Sequence, residues 1–145
     1  MGTHSNSLKI IKCRGIIINN DKLLVVKYSE EHDFYALPGG HLEGKENPIE
    51  CIERELMEEF GIKAEVGSLL YICQFSDPGK SFMELLFEIK NGIDFKNLDE
   101  NKIDKNEIIK ILWARRDSNI KILPEKLSED FKNGVLGEGD VQFIR

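Results

Sequence analysis

GGHLEGKENPIECIERELMEEFGI, residues 39–62, carries seven glutamates against two full positive charges, Lys45 and Arg54. Its punctuation is that of a turn followed by a helix. Pro38 ends the preceding segment, and Gly39-Gly40 permits backbone angles that other residues avoid. Asn47 suits the N-cap and Pro48 the first helical position, while Glu50 sits where a capping box closes. Gly61 stands where a glycine stop is expected. The spacing therefore predicts a helix over about 48–60.

On a wheel of about 100° per residue, Ile49, Ile52, Leu56 and Phe60 share one arc of roughly 80°, the expected buried stripe. Taking Glu55 as zero, Glu58 lies about 60° to one side and Glu59 about 40° to the other. These three carboxylates form a second arc beside the stripe, bordered by Arg54, which reaches Glu58 at the i, i+4 spacing. A solvent-facing acidic surface is one reading. Two features oppose it. No lysine is interleaved at i+4, and Glu58 and Glu59 fall in the last turn, where the helix dipole disfavours negative charge. A hard divalent cation such as Mg²⁺ removes both objections, because it takes oxygen ligands between carboxylates and phosphates.

Working outward, residues 8–18 and 22–28 are rich in β-branched and apolar side chains, with Asn19, Asn20 and Asp21 between them. This is a hairpin pattern. Further strands are expected over 62–75 and 81–90, joined by the turn sequence DPGK at 77–80. A polar loop at 91–106 leads to a strand at 107–114, then a helix from Pro124 to about 132 that stops near Gly134. The tail VQFIR suits a final strand. This order points to an α/β fold with a mixed, mainly antiparallel sheet and helices packed on it.

Length and composition fit one domain over 8–145, preceded by a polar, flexible leader at 1–7. No apolar run approaches a membrane span, and the first residues lack the pattern of a secretory signal. Three scattered cysteines fit a reducing, cytoplasmic setting. A formal charge of −6 argues against a nucleic acid polymer as partner. An anionic substrate would then have to be met through bound cations.

The segment resembles the Nudix box of the Nudix hydrolases, G-x5-E-x7-R-E-U-x-E-E-x-G-U, where U is a bulky aliphatic residue. Gly40, Glu46, Arg54, Glu55, Leu56, Glu58, Glu59, Gly61 and Ile62 meet every defined position. FYALPGG resembles the family's aromatic-x-LPGG lead-in, with Tyr35 where tryptophan is commoner, and Trp113 resembles a residue of its later strand. The resemblance implies an α/β/α sandwich. It also implies Mg²⁺- or Mn²⁺-dependent hydrolysis of a nucleoside diphosphate linked to another moiety, with ADP-ribose or a nucleotide sugar favoured. Carried over by position, Glu55, Glu58 and Glu59 are metal ligands and Arg54 orients one of them. Gly40 and Glu46 shape the loop before the helix. The catalytic set is Arg54, Glu55, Glu58 and, from outside the box, Glu107, with Glu100 and Asp104 behind it as candidates for a further ligand or general base. A nucleoside triphosphate pyrophosphatase is the alternative activity, and a ligand-binding module that lacks catalysis is the alternative class. The partner implied is a small nucleotide derivative, and a homodimer is among the states the family takes.

Gly39, Gly40, His41 and Arg14 are the candidate substrate contacts. For His41, simple exposure competes with phosphate contact, and for Arg14 and Lys27 a surface role competes. His32 reads as surface and Cys51 as a small packing residue, since a thiolate is too soft for Mg²⁺. Arg115-Arg116 is either an anion contact or a charged strand end. Phe34, Tyr35 and Phe75 suit either base stacking or packing. Pro78 is explained by its turn. The loops 29–36, 76–81 and 91–106 are expected to set the substrate.

Overall fold

Two alternating faces of one sheet position everything else. In the computed structural model, which describes residues 8–98 and 107–145, β1 (Leu8–Asn19) and β2 (Lys22–Lys27) form the expected hairpin. Asn20 and Asp21 sit at φ 52° and 61°, the left-handed angles that such a turn requires. β3 (Gly39–His41) follows, then α1 (Pro48–Phe60), β4 (Val66–Asp77) and β5 (Lys80–Ile89). A short 3-10 turn (Gly92–Phe95), β6 (Lys110–Ala114), α2 (Glu125–Lys132) and β7 (Gln142–Ile144) complete the order. The leader at 1–7, Glu100 and Asp104 lie outside the described residues.

The sheet runs β6-β2-β1-β5-β4-β7, and β3 pairs with β1. The β1–β5 and β4–β7 pairs are parallel and the other pairs antiparallel. Because strand side chains alternate, Cys13, Ile17, Leu24 and Val26 face one side and pack with Cys51, Ile52, Leu56 and Phe60 of α1. Ile16, Leu23 and Val25 face the other side and pack with Leu127 and Phe131 of α2. The result is the expected sheet between helical layers.

The bounds of α1 are as the sequence predicts, and so are its ends. Asn47 Oδ1 accepts from the Glu50 amide at 2.8 Å, Glu50 Oε1 accepts from the Asn47 amide at 3.0 Å, and Gly61 closes the helix at φ 71°. Its buried face differs from the wheel. Ile49 is 48% exposed, whereas Glu55 and Glu59 are 6% and 1% exposed. Ile49 lies in the first turn and does not share the packing of the later turns. The buried face, set by Cys51, Ile52, Glu55, Leu56, Glu59 and Phe60, takes in two carboxylates that the wheel put beside it.

Other boundaries moved too: the strand expected over 62–75 runs Val66–Asp77. The Gly-Gly segment is a strand as well as a turn, because β3 registers Gly39 to His41 against Arg14 to Lys12. The 107–114 strand begins at Lys110, and Glu107 occupies a turn just before it. The loop after β5 opens with the 3-10 turn, which buries Phe95 against Phe60. Among the described residues, no helix is long and apolar enough to cross a membrane.

Candidate active site

β1 shares its edge between two partners, and the site lies where they part. β2 pairs at Ile18 and Asn19, and β3 takes the stretch from Lys12 to Arg14. Backbone closes the space beside Gly39, and the Glu55 side chain closes that beside Gly40. A Cβ on Gly39 would lie 2.0 Å from the Cys13 carbonyl oxygen, and one on Gly40 would lie 2.5 Å from the Glu55 carboxylate. The bare backbone at Gly40 thus lets the acidic side of α1 come up against β3.

Glu55, Glu59 and Glu107 converge there, with one oxygen from each lying within 4.8 Å of the others. Tyr28 donates its hydroxyl to Glu59 Oε2 at 2.9 Å and accepts from the Gly39 amide at 3.1 Å. The other Glu59 oxygen, Oε1, is buried with no hydrogen-bond partner among the described residues. Burial pushes the Glu59 carboxyl up to about 8; the Tyr28 hydrogen bond opposes this and the nearby Glu55 charge adds to it. Burial raises Glu55 as well, against the pull of Arg54. Burial and the Glu59 charge raise the Tyr28 phenol.

Leaving a buried carboxylate oxygen unpaired beside a second acid is costly. An oxygen-seeking divalent cation relieves both penalties, because it supplies charge and coordination together. The donor set is all carboxylate, which fits Mg²⁺ or Mn²⁺ and not a soft metal.

Arg54 organises the rim of this group. Its Nε and Nη2 donate to Glu46 at 2.9 and 2.7 Å, and Nη2 also donates to the His41 carbonyl at 3.0 Å. Its Nη1 reaches Glu55 at 3.0 Å and Glu58 at 3.2 Å. The paired hydrogen bonds from Arg54 hold Glu46 down at about 2. Glu58 stands outside the three-carboxylate group, half exposed, and is tied to it through the shared arginine nitrogen.

Beside the acids opens a cleft of about 1010 Å³ that Gly39, Gly40, His41 and Arg14 all line. Arg14 donates from Nε to Glu84 at 2.6 Å and from Nη1 to the Leu37 carbonyl at 2.9 Å. Burial lowers the Lys12 ammonium, and Arg14 lowers it further. His41 is lowered by burial and then by these two cations. His32, read from sequence as surface, also lines the cleft. Lys27, Arg115 and Arg116 do not: Lys27 lies over the Tyr35 ring, and the two arginines pair with Asp117 and Asp21. Cys51 is fully buried, as a packing residue should be.

Sequence reasoning missed Tyr28 and Glu84. Tyr28 was within reach, since it continues the Leu24, Val26 alternation toward α1. Glu84 had no local signal, because its role depends on the parallel register that sets it opposite Lys12.

Residues 11–131 match the NUDIX domain. The chain belongs to the Nudix family. An ADP-ribose pyrophosphatase of Methanocaldococcus jannaschii is 33% identical over 115 residues, which cover 66% of this Nudix chain and 68% of that protein. Diphosphoinositol polyphosphate phosphohydrolase 2 of Homo sapiens is 39% identical over 57 residues, 39% of this chain and 32% of that protein. A MutT NUDIX hydrolase structure from Burkholderia pseudomallei superposes with a TM-score of 0.67 at 18% identity, covering 89% of this chain and 99% of that one. A UDP-X diphosphatase structure superposes at 0.65 with 21% identity, over 94% and 68%. At these identities the structures establish the fold, the Nudix sandwich expected from sequence. The enzyme class follows from the family: a Nudix pyrophosphohydrolase.

Proposed function

We propose that this enzyme hydrolyses the P–O–P bond of a nucleoside diphosphate linked to another moiety, of the ADP-ribose or nucleotide-sugar type, with Mg²⁺ or Mn²⁺ as cofactor. One observation carries the metal requirement: among the described residues Glu59 Oε1 is buried without a partner, within a group of three converging carboxylates. Glu55 and Glu59 would hold the cation, with Glu58 brought to it by Arg54. Bound there, the metal supplies charge neutralisation and lowers the pKa of water.

The chain's own residues do the rest. Lys12 and Arg14 supply positive charge along the cleft for the phosphates, and Gly39, Gly40 and His41 border their path. Arg14 stays charged: burial opposes this, but Glu84 more than compensates. Glu107, the exposed member of the trio, takes the proton of the attacking water. The water oxygen joins one phosphorus, and the bridging oxygen leaves with the other phosphate. The ADP-ribose preference is supported by the relative at 33% identity. The three free, buried cysteines support a cytoplasmic setting.

A panel of nucleoside diphosphate derivatives and nucleoside triphosphates, assayed with Mg²⁺ or Mn²⁺, tests this reading. ADP-ribose or a nucleotide sugar should turn over fastest, and Glu58→Gln with Glu59→Gln should abolish turnover. Faster release of pyrophosphate from triphosphates would replace it with the sanitising activity. Binding without metal-dependent turnover would leave only a ligand-binding module.

A further inference from the structure

Two side chains hold the acids of α1, each from its own side. Arg54 reaches Glu55 at 3.0 Å and Glu58 at 3.2 Å from the rim. Glu59 lies beyond it. Among the described residues, the side chain that bonds Glu59 is Tyr28, whose hydroxyl lies 2.9 Å from Oε2.

Tyr28 is itself fixed from several directions. It directly follows β2 and packs against the core that the sheet shares with α1. Its hydroxyl accepts from the Gly39 amide at 3.1 Å, which ties it to β3. Arg14 Cζ lies over its ring, 5.8 Å from the centroid. Arg14 in turn is committed to Glu84 and the Leu37 carbonyl.

A glutamate carboxylate turns easily, because its last torsion is broad and two-fold. Nothing within α1 decides which oxygen of Glu59 a cation would meet. A phenol has one proton to give and carries no formal charge. The Gly39 carbonyl, at 3.1 Å, is the farther acceptor for that proton, and a carboxylate oxygen is the stronger one. Given to Oε2, the proton stops the carboxylate from turning and leaves Oε1 as the oxygen on offer. An arginine or lysine at this position would also hold Glu59, but its charge would oppose a divalent cation.

We propose that Tyr28 is a positioning residue of the cation site: its hydroxyl holds Glu59 by Oε2 and reserves Oε1 for the metal, while the Gly39 amide ties that hold to β3. This assignment rests on the metal-dependent reading above and adds to it a residue from outside the acidic segment. Groups that bond a metal ligand without touching the metal are worth ~10–100-fold in metal affinity.

Mn²⁺ titration of wild type, Tyr28→Phe and Tyr28→Leu, read from the signal of the free ion, tests this, with thermal melts in chelator alongside. Both variants lose the hydroxyl, and only Tyr28→Leu also loses the ring. Both should weaken Mn²⁺ uptake by the same factor, about tenfold or more, although Tyr28→Leu melts at the lower temperature. Uptake that is unchanged in Tyr28→Phe, or that falls in step with Tm from one variant to the next, would mark a residue that merely packs. Either result would overturn the assignment and leave the metal reading intact. Absence of uptake by the wild type would instead remove the metal reading, and the positioning role with it.

Discussion

The molecule buries carboxylates in two places and treats them in opposite ways. Asp130 on α2 accepts from Tyr71 on β4, from Lys126 at 3.0 Å and from Gln142 of β7 at 3.4 Å. Burial pushes its pKa up, but these partners outweigh burial, and the net shift is down. Among the described residues Glu59 on α1 has one hydrogen bond, from Tyr28, and burial wins. The first acid is complete without help and ties α2 to the sheet. The second is left one partner short among the described residues, beside two more acids, of which Glu107 lines the cleft. Burial alone therefore does not mark a functional acid. What marks it is burial together with an unfilled valence and like-charged neighbours.

The contrast should show most strongly in activity. Glu59→Gln is expected to lower turnover by more than about a hundredfold, since even outer-sphere changes at metal sites cost ~10–100-fold. The same substitution should raise the melting temperature in chelator at neutral pH, because folding forces Glu59 to take up a proton that the unfolded chain does not hold, and a glutamine has no such cost. Asp130→Ala should do the reverse to stability. Breaking a fully partnered buried acid costs ~3 kcal/mol or more, about 10 °C in Tm for a chain of this size. Thermal melts of both variants with and without Mg²⁺ would break the comparison if the two shifted alike.

Gly40→Ala sharpens it from the other side. The three atoms nearest the new methyl all belong to the end of the Glu55 side chain, which can move aside, so stability should change little. Displacing that carboxylate by about an ångström should still lower kcat by roughly a hundredfold. Steady-state kinetics alongside a denaturant titration separates the two effects.

The smallest effect is in pH dependence, and the two acids have opposite signs. Glu59 titrates higher when folded, at about 8, than its ordinary value of 4.5. The folded state then binds the extra proton, so stability in chelator is greatest below about 4.5 and falls as pH rises toward 8. Asp130 titrates lower than its ordinary 3.8, so its contribution is present above that pH and is lost as pH falls through the depressed value. Denaturant titrations from pH 5 to 8 should show a downward slope in the wild type that Glu59→Gln flattens.

The sequence carried the α1 segment in full, because caps, proline and the glycine stop act within a few residues of each other. It carried the β1–β2 hairpin for the same reason. It did not carry the burial of Glu55 and Glu59, because a wheel ranks side chains by polarity and the packing of β3 on α1 overrides that rank. The role of Gly39-Gly40 was half legible: the turn was plain, but the pairing with β1 depends on a strand 25 or more residues away in sequence. Arg14 was placed at the cleft, whereas its partner Glu84 stands 70 residues along the chain and is brought there by the parallel β1–β5 pair. Local signals survive in a sequence; register between distant strands does not.

Mn²⁺ binding, read from the resonance signal of the free ion during titration of the protein, tests the central claim most directly. Wild-type protein should take up Mn²⁺, and Glu59→Gln should weaken that uptake by tenfold or more, while Phe75→Leu leaves it unchanged. Uptake that is equally strong in wild type and Glu59→Gln would contradict the claim that the unpaired oxygen of Glu59 exists to hold a cation.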